Sequence, residues 1–182
     1  ANLGSSVSIV TLNSMGPPTV INVSTGFSTV RGILYDGANM WVTDDVSGSV
    51  DKLRKLDSNG AIVQSFDVGS SPQAPAFDGT NIWVPNSASN SLSVVRATGG
   101  MTGTVLATLT GNGLSGPAKV AYDGERILVT NNVGNSVSLW RASDLTPLGT
   151  FSTGPATGPN GACSDGTNFW ITLEMANKLA RL

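Results

Sequence analysis

The sequence predicts an all-β chain, a β-propeller of about four repeats of 42–45 residues, each folding as a four-stranded antiparallel blade. Three observations predict it. The segments "YDGANMWV", "FDGTNIWV", "YDGERILV" and "SDGTNFWI" place Asp-Gly pairs at 36–37, 78–79, 123–124 and 165–166, which is 42, 45 and 42 residues apart. Other landmarks keep step: Pro72, Pro117 and Pro159 precede three of the aspartates by six residues, with Val30 in the first copy, and Trp41, Trp83, Leu128 and Trp170 follow by five. Within each repeat the apolar pattern is that of short strands, and no segment reads as a helix of useful length.

Taken in order, "SVSIVTL" matches the third strands of later repeats and "TVINVS" the fourth, so residues 5–24 form a partial blade. Full blades follow at 29–68, 72–110 and 117–152, and a partial one at 159–182, all in a single domain over 1–182. Each unit starts with a strand of small residues ("GILY", "APAF", "KVAY", "GACS") suited to the crowded axis. The strand ends at the Asp-Gly pair, where Gly accepts positive φ and the carboxylate folds back onto backbone N–H groups. Asp36, Asp78, Asp123 and Asp165 are therefore read as turn builders. The second strand ("MWVT", "IWVP", "ILVT", "FWIT") carries Trp41, Trp83 and Trp170, large enough to fill the wedge between blades. A polar loop ("DDVSG", "NSASN", "NNVGN") leads to an alternating third strand, as in "NSVSLW", and "AIVQSFDV", "TVLATL" or "PLGTF" closes the unit.

This reading yields 17 strands, one more than four closed blades need, because "SVSIVTL" and "KLARL" claim the same third-strand place. Three assemblies satisfy it: a self-closed four-bladed ring, two chains sharing an eight-bladed toroid, or a segment of a longer array. An open arc leaves strand edges and an apolar blade face bare. The expected partner is therefore another copy of the chain, in a homo-oligomer, or further blades.

The repeats "FDGTNIWVPNSASNSLSVVRATGG" and "YDGERILVTNNVGNSVSLWRASDL" resemble those of the bacterial YVTN-type propeller family, itself similar to the virginiamycin B (streptogramin) lyase-like propellers. The resemblance covers residues 5–182. It implies a propeller fold, commonly seven-bladed, and for the lyase branch a histidine base and acid beside a divalent metal. This chain has no histidine.

That absence excludes a Ser-His-Asp triad, a Cys-His pair and a His-ligated zinc site. Charged residues make up 12% of the 182 and the net charge is −2, which argues against nucleic-acid binding by counterion displacement. The densest basic cluster, Lys52, Arg54 and Lys55 flanked by Asp51 and Asp57, reads as a solvated strand edge. No apolar run has the length of a membrane span, so no membrane insertion is expected. Cys163 stands alone in "NGACSDG" and reads as a buried, inert thiol. The chain opens at Ala1 without Met, consistent with a removed leader and a secreted, periplasmic or cell-surface location. The sequon Asn22-Val23-Ser24 falls on a predicted strand and is given no role.

Propellers bind ligands at the mouth of the central channel. Arg31, Gln73, Ala118 with Lys119, and Asn160 begin the innermost strands and differ between repeats whose frames agree. Their mixed side chains suit a small anionic or polyhydroxyl ligand; a merely hydrated channel is the plainer reading. The loops after the tryptophan strands carry Asp44, Asp45, Asn86, Asn131, Asn132 and Glu174, oxygen donors of the Ca²⁺ or Mg²⁺ kind. They come from different blades without an Asp-x-Asp-x-Asp loop, so Asp44, Asp45 and Glu174 are weak metal candidates. No metal, cofactor or catalytic residue is assigned. The sequence thus favours a non-enzymatic binding or structural module, self-associating through terminal strands or blade faces. The alternative is a lyase- or lactonase-like enzyme holding a divalent metal at the channel mouth; an excised piece of a longer protein is a third.

Overall fold

Alternating apolar strands joined by glycine turns bury one side chain in two against each neighbouring sheet, and the architecture follows from that alternation. The computed structural model describes residues 5–98 and 103–182. Ala1 and residues 99–102 of the predicted unit 72–110 lie outside them. The first strands, β1 (Val7–Thr11) and β2 (Thr19–Val23), form a two-stranded sheet. Three four-stranded antiparallel blades follow. They comprise β3 (Thr29–Tyr35), β4 (Met40–Asp45), β5 (Lys52–Leu56) and β6 (Ile62–Asp67); then β7 (Ala76–Phe77), β8 (Asn81–Asn86), β9 (Ser91–Arg96) and β10 (Val105–Leu109); then β11 (Pro117–Tyr122), β12 (Arg126–Asn131), β13 (Ser136–Arg141) and β14 (Pro147–Ser152). The last sheet has three strands, β15 (Pro159–Ser164), β16 (Phe169–Leu173) and β17 (Lys178–Arg181), with a 3₁₀ turn at Glu174–Ala176. The chain is an all-β propeller of the predicted blade type.

Each Asp-Gly turn is built by its own carboxylate. Asp36 Oδ1 accepts the N–H groups of Ala38 and Asn39 at 2.8 and 2.6 Å; Asp78 does the same for Thr80 and Asn81, and Asp165 for Thr167 and Asn168. The glycines that follow lie at φ of 88 to 104°, a region that costs a side chain strain. The second carboxylate oxygen has a separate task. In three turns it accepts the indole N–H five residues on: Trp41 at 2.7 Å, Trp83 at 2.6 Å and Trp170 at 2.8 Å. The copy with Leu128 has no indole, and there Arg126 takes the place, its Nε 2.7 Å from Asp123 Oδ2.

These bonds set the acid response. Burial pulls the pKa of Asp36 upward, but the Trp41 indole and the N–H groups of Asn39 and Ala38 outweigh it, and the net shift is downward. Asp123 behaves alike, with burial opposed by Arg126 and Glu125. Exposed Asp165 is lowered by the Asn168 N–H first and the Trp170 indole second. A carboxyl whose folded pKa lies below its unfolded value of 3.8 contributes stability above that value and loses it as pH falls through the folded one. The urea midpoint is therefore expected to be flat with respect to these groups from about pH 7 to 5 and to fall below about pH 4.

The blades stack through their alternate faces. One face of the first blade, with Trp41 and Leu53, packs on Ile82, Val84 and Val95 of the second. The second presents Trp83, Leu92 and Val94 to Val120, Ile127, Val129 and Trp140 of the third. The third meets Phe169, Ile171 and Leu173 of the last sheet through Leu128, Val137 and Leu139. On the other side of the first blade, Val30, Val42 and Leu56 cover Val7 of β1. None of these four clusters joins β15–β17 to β1–β2. At the axis the first strands approach closely: a Cβ on Gly32 would lie 2.6 Å from Ala74 Cα and 2.7 Å from Pro75 Cδ.

Two expectations need correction. Cys163 is exposed: it pairs across the sheet with Trp170, on a face that no described sheet covers. Arg54 is not a solvated edge residue. Its guanidinium reaches the buried Asp44 carboxylate at 3.1 and 3.2 Å, while Lys52 pairs with Asp67 and Lys55 lies 5.3 Å from the Trp41 ring centroid.

Candidate functional site

The residues predicted at the channel mouth stand at the starts of β3, β11 and β15 and, for Gln73, just before β7. These innermost strands run side by side, with a parallel bridge between Ala74 and Lys119. A second-strand threonine helps hold three of the four starts. Thr43 Oγ1 accepts the Gly32 N–H at 2.8 Å, Thr130 that of Lys119 at 3.0 Å, and Thr172 that of Gly161 at 2.8 Å. Thr130 also donates to the Asn160 carbonyl at 2.8 Å, tying the third blade to the last sheet. The second blade has Pro85 at this position, and its innermost strand β7 is only two residues long.

Three of the four mouth side chains are occupied within their own blades. Arg31 Nη2 lies 2.8 Å from Asp45 Oδ2, Gln73 Nε2 donates to the Ser71 carbonyl at 3.1 Å, and Asn160 Nδ2 donates to Glu174 Oε2 at 2.9 Å. No ion pair involves Lys119 among the described residues. The four are brought to one end of the axis, yet no hydrogen bond joins any two of their side chains among the described residues.

The oxygen donors of the loops divide by burial. Asp44, Asn86 and Asn131 occupy equivalent ends of β4, β8 and β12 and are fully buried. Asp44 Oδ1 accepts the N–H groups of Ser28 and Thr29, each at 2.9 Å, while Oδ2 faces Arg54. The Asn86 carboxamide meets the Ser91 and Ser93 hydroxyls at 3.1 and 2.9 Å, and Asn131 meets Ser136 and Ser138 at 3.1 and 2.8 Å. Asp44 and Asn131 fasten the chain entering their blades, at Ser28 with Thr29 and at Ser115, to the second and third strands, and Asn86 ties its blade's second strand to the third. Asp45 and Glu174 face the mouth pairs already named, and Asn132 Nδ2 reaches the Pro159 carbonyl at 3.5 Å. Among the described residues no three Asp, Glu or Cys side chains gather as a metal site.

What sequence reasoning missed lies on the last sheet. Trp41 and Trp83 are fully buried between blades, but Trp170 is only partly so, and its ring is flanked by Arg181 at 5.8 Å. Leu179 pairs with Thr172 as Leu53 pairs with Thr43, Leu92 with Pro85 and Val137 with Thr130. Those three counterparts are 0, 0 and 2% exposed; Leu179 is 61% exposed. At the opposite end Val10, on β1, is 54% exposed. A depression of about 520 Å³ runs from Asn160 and Glu174 to Leu179, joining the channel mouth to this bare face.

No protein-family model and no curated protein matches the chain. Solved structures do. A streptogramin B lyase aligns with a TM-score of 0.74 at 19% identity, covering 96% of this chain and 58% of that one. A functionally unknown protein from Desulfotomaculum acetoxidans aligns at 0.79 and 13%, covering 100% and 63%. A protein from Bacteroides uniformis described as a 6-phosphogluconolactonase aligns at 0.67 and 14%, covering 97% and 64%. The chain therefore spans about three-fifths of the length of these propellers. Its structural neighbours are virginiamycin B lyase-like propellers, some of them enzymes and some of unknown function, and what it shares with them at this identity is the fold.

Proposed function

We propose that this chain is a non-enzymatic propeller module that works by docking, and that its partner is a second copy bound through the bare blade faces. The exposure of Leu179 carries the reading. Its position is buried in three blades of the same molecule and bare in the last, beside Trp170 and Thr172. The blade-to-blade contact recurs three times within the chain, so the surface that Trp170 and Leu179 fit is already defined: the opposite face of a blade. The copy offers the outer half of such a face at its other end, around Val10 and Val20 on β1 and β2, where the third and fourth strands stand without a first or second among the described residues. Joining the two is a head-to-tail contact, which closes as a ring or extends as a filament according to the angle between copies. The edge of β17 that no described strand pairs adds backbone donors and acceptors.

Chemistry favours docking over catalysis. The lyase mechanism uses a histidine, which this chain lacks, and the mouth carboxylates of Asp45 and Glu174 are engaged by Arg31 and Asn160. Leu179→Lys tests the reading. It places a charge where a leucine gains about 1.5–3 kcal/mol from burial, so it is expected to weaken association at least tenfold while leaving the circular dichroism spectrum unchanged and the urea midpoint equal to that of the unmodified chain at concentrations too low for association. Association undiminished by Leu179→Lys, and by removal of Asn177 to Leu182, would overturn it. Heat on titration with Ca²⁺ or Mg²⁺ would instead favour the metal-dependent reading.

A further inference from the structure

The Asp-Gly turns of the second and third blades border a cleft of about 330 Å³, at the opposite end of the strands from Gln73, Lys119 and Asn160. Its walls come from both blades: Thr80, Asn81 and Arg96 from one, Tyr122, Glu125 and Ser143 from the other. Two features mark it as more than a gap between turns. Asn81 is only 7% exposed; its Nδ2 donates to Asp78 Oδ2 at 3.2 Å, but its Oδ1 has no hydrogen-bond partner among the described residues. A buried acceptor without a donor calls for an explanation, and since Asn81 lines the cleft, a turn of its amide toward that space offers the oxygen to a ligand N–H.

The second feature is unpaired charge. Arg141, one blade on from Arg96, pairs with Asp144 at 3.1 Å, and Asp57, one blade back, accepts the N–H groups of Asn59 and Ala61 at 2.9 Å. Arg96 makes no such pair among the described residues, and neither does Glu125 on the facing wall. The cleft therefore holds a guanidinium suited to a carboxylate, opposite acceptors suited to a cation. Burial raises the pKa of Tyr122, and the charges of Asp78 and Asp123 raise it further, a local potential that also favours a cation. A simple anion leaves Asn81 and Glu125 unmatched, and a simple cation leaves Arg96 unmatched. The volume suits a ligand at the small end of the usual range.

We propose that this cleft binds a small zwitterion, a free α-amino acid or short peptide, with its carboxylate on Arg96 and its ammonium toward Asn81 Oδ1 and Glu125. The site is separate from the bare blade faces and stands whether or not the chain self-associates. The test is titration of the ¹⁵N-labelled full chain with glycylglycine to about 10 mM, with acetate and methylammonium in parallel; calorimetry gives the same answer for assemblies too large for such spectra. Saturable shifts of the Asn81 side-chain amide and the Arg96 Nε–H are expected with glycylglycine alone, at a Kd of order 1 mM. Arg96→Gln and Glu125→Gln are each expected to weaken binding about tenfold, with the remaining resonances in place because neither side chain belongs to an apolar cluster. No saturable response to glycylglycine, an equal response to acetate, or binding unchanged in both variants would overturn the proposal.

Discussion

Trp83→Ala is expected to lower stability by about 3–5 kcal/mol, the range for deleting a buried aromatic side chain. The indole is fully enclosed between the second and third blades, in one cluster with Leu92, Val94, Ile127, Val129 and Trp140, where a close-packed interior relaxes only partly into the space left. The substitution also strips Asp78 Oδ2 of its 2.6 Å indole donor. Trp170→Ala is the internal control when both variants are made in the non-associating Leu179→Lys chain: there it removes the same indole-to-aspartate bond, but from a ring that no described sheet covers. Its expected cost is about 1 kcal/mol. Urea unfolding of the two variants side by side separates blade sealing from turn bonding, and equal losses would contradict the assignment of Trp83 to the interface.

Asp44→Ala is expected to cost a similar amount, about 3–5 kcal/mol, for a different reason. The carboxylate is fully buried and serves two backbone N–H groups and the Arg54 guanidinium at once. Its removal leaves two backbone donors unserved and the guanidinium with only Ser65 Oγ to meet it, at a position where the carboxylate itself was wholly buried, and breaking one side of a buried pair is more costly than the pair is stabilising. Asp44→Asn keeps one acceptor for Ser28 and Thr29 but turns an amide toward Arg54, with an expected loss of about 1–3 kcal/mol. The second and third blades manage with asparagine here because serines, not arginine, face Asn86 and Asn131. Arg54→Ser in the Asp44→Asn background is expected to recover part of the loss.

These two sites show what was legible in the sequence. The Asp-Gly period and the alternating strands carry the fold because side-chain direction and turn geometry are local properties, decided within a few residues. The indole-to-aspartate bond was within reach: Trp follows Asp by five residues wherever the carboxylate has a spare oxygen, and where Leu128 replaces it Arg126 appears. The role of Asp44, Asn86 and Asn131 was not, because an oxygen donor that latches a linker and one that ligates a metal look alike until their partners are known. Burial of Cys163 was misjudged because it depends on whether another sheet covers its face, which the local pattern does not encode. The cleft between the second and third blades depends on residues from two repeats and has no contiguous signature.

The proposed docking requires the Trp170 and Leu179 face of the last sheet to meet the bare face of another copy. The mass of the unmodified chain in solution, measured by light scattering across a hundredfold range of concentration, tests this most directly. The prediction is a mass at or above twice 18.6 kDa, falling to the single-chain value in Leu179→Lys. A single species of 18.6 kDa at every concentration would contradict it.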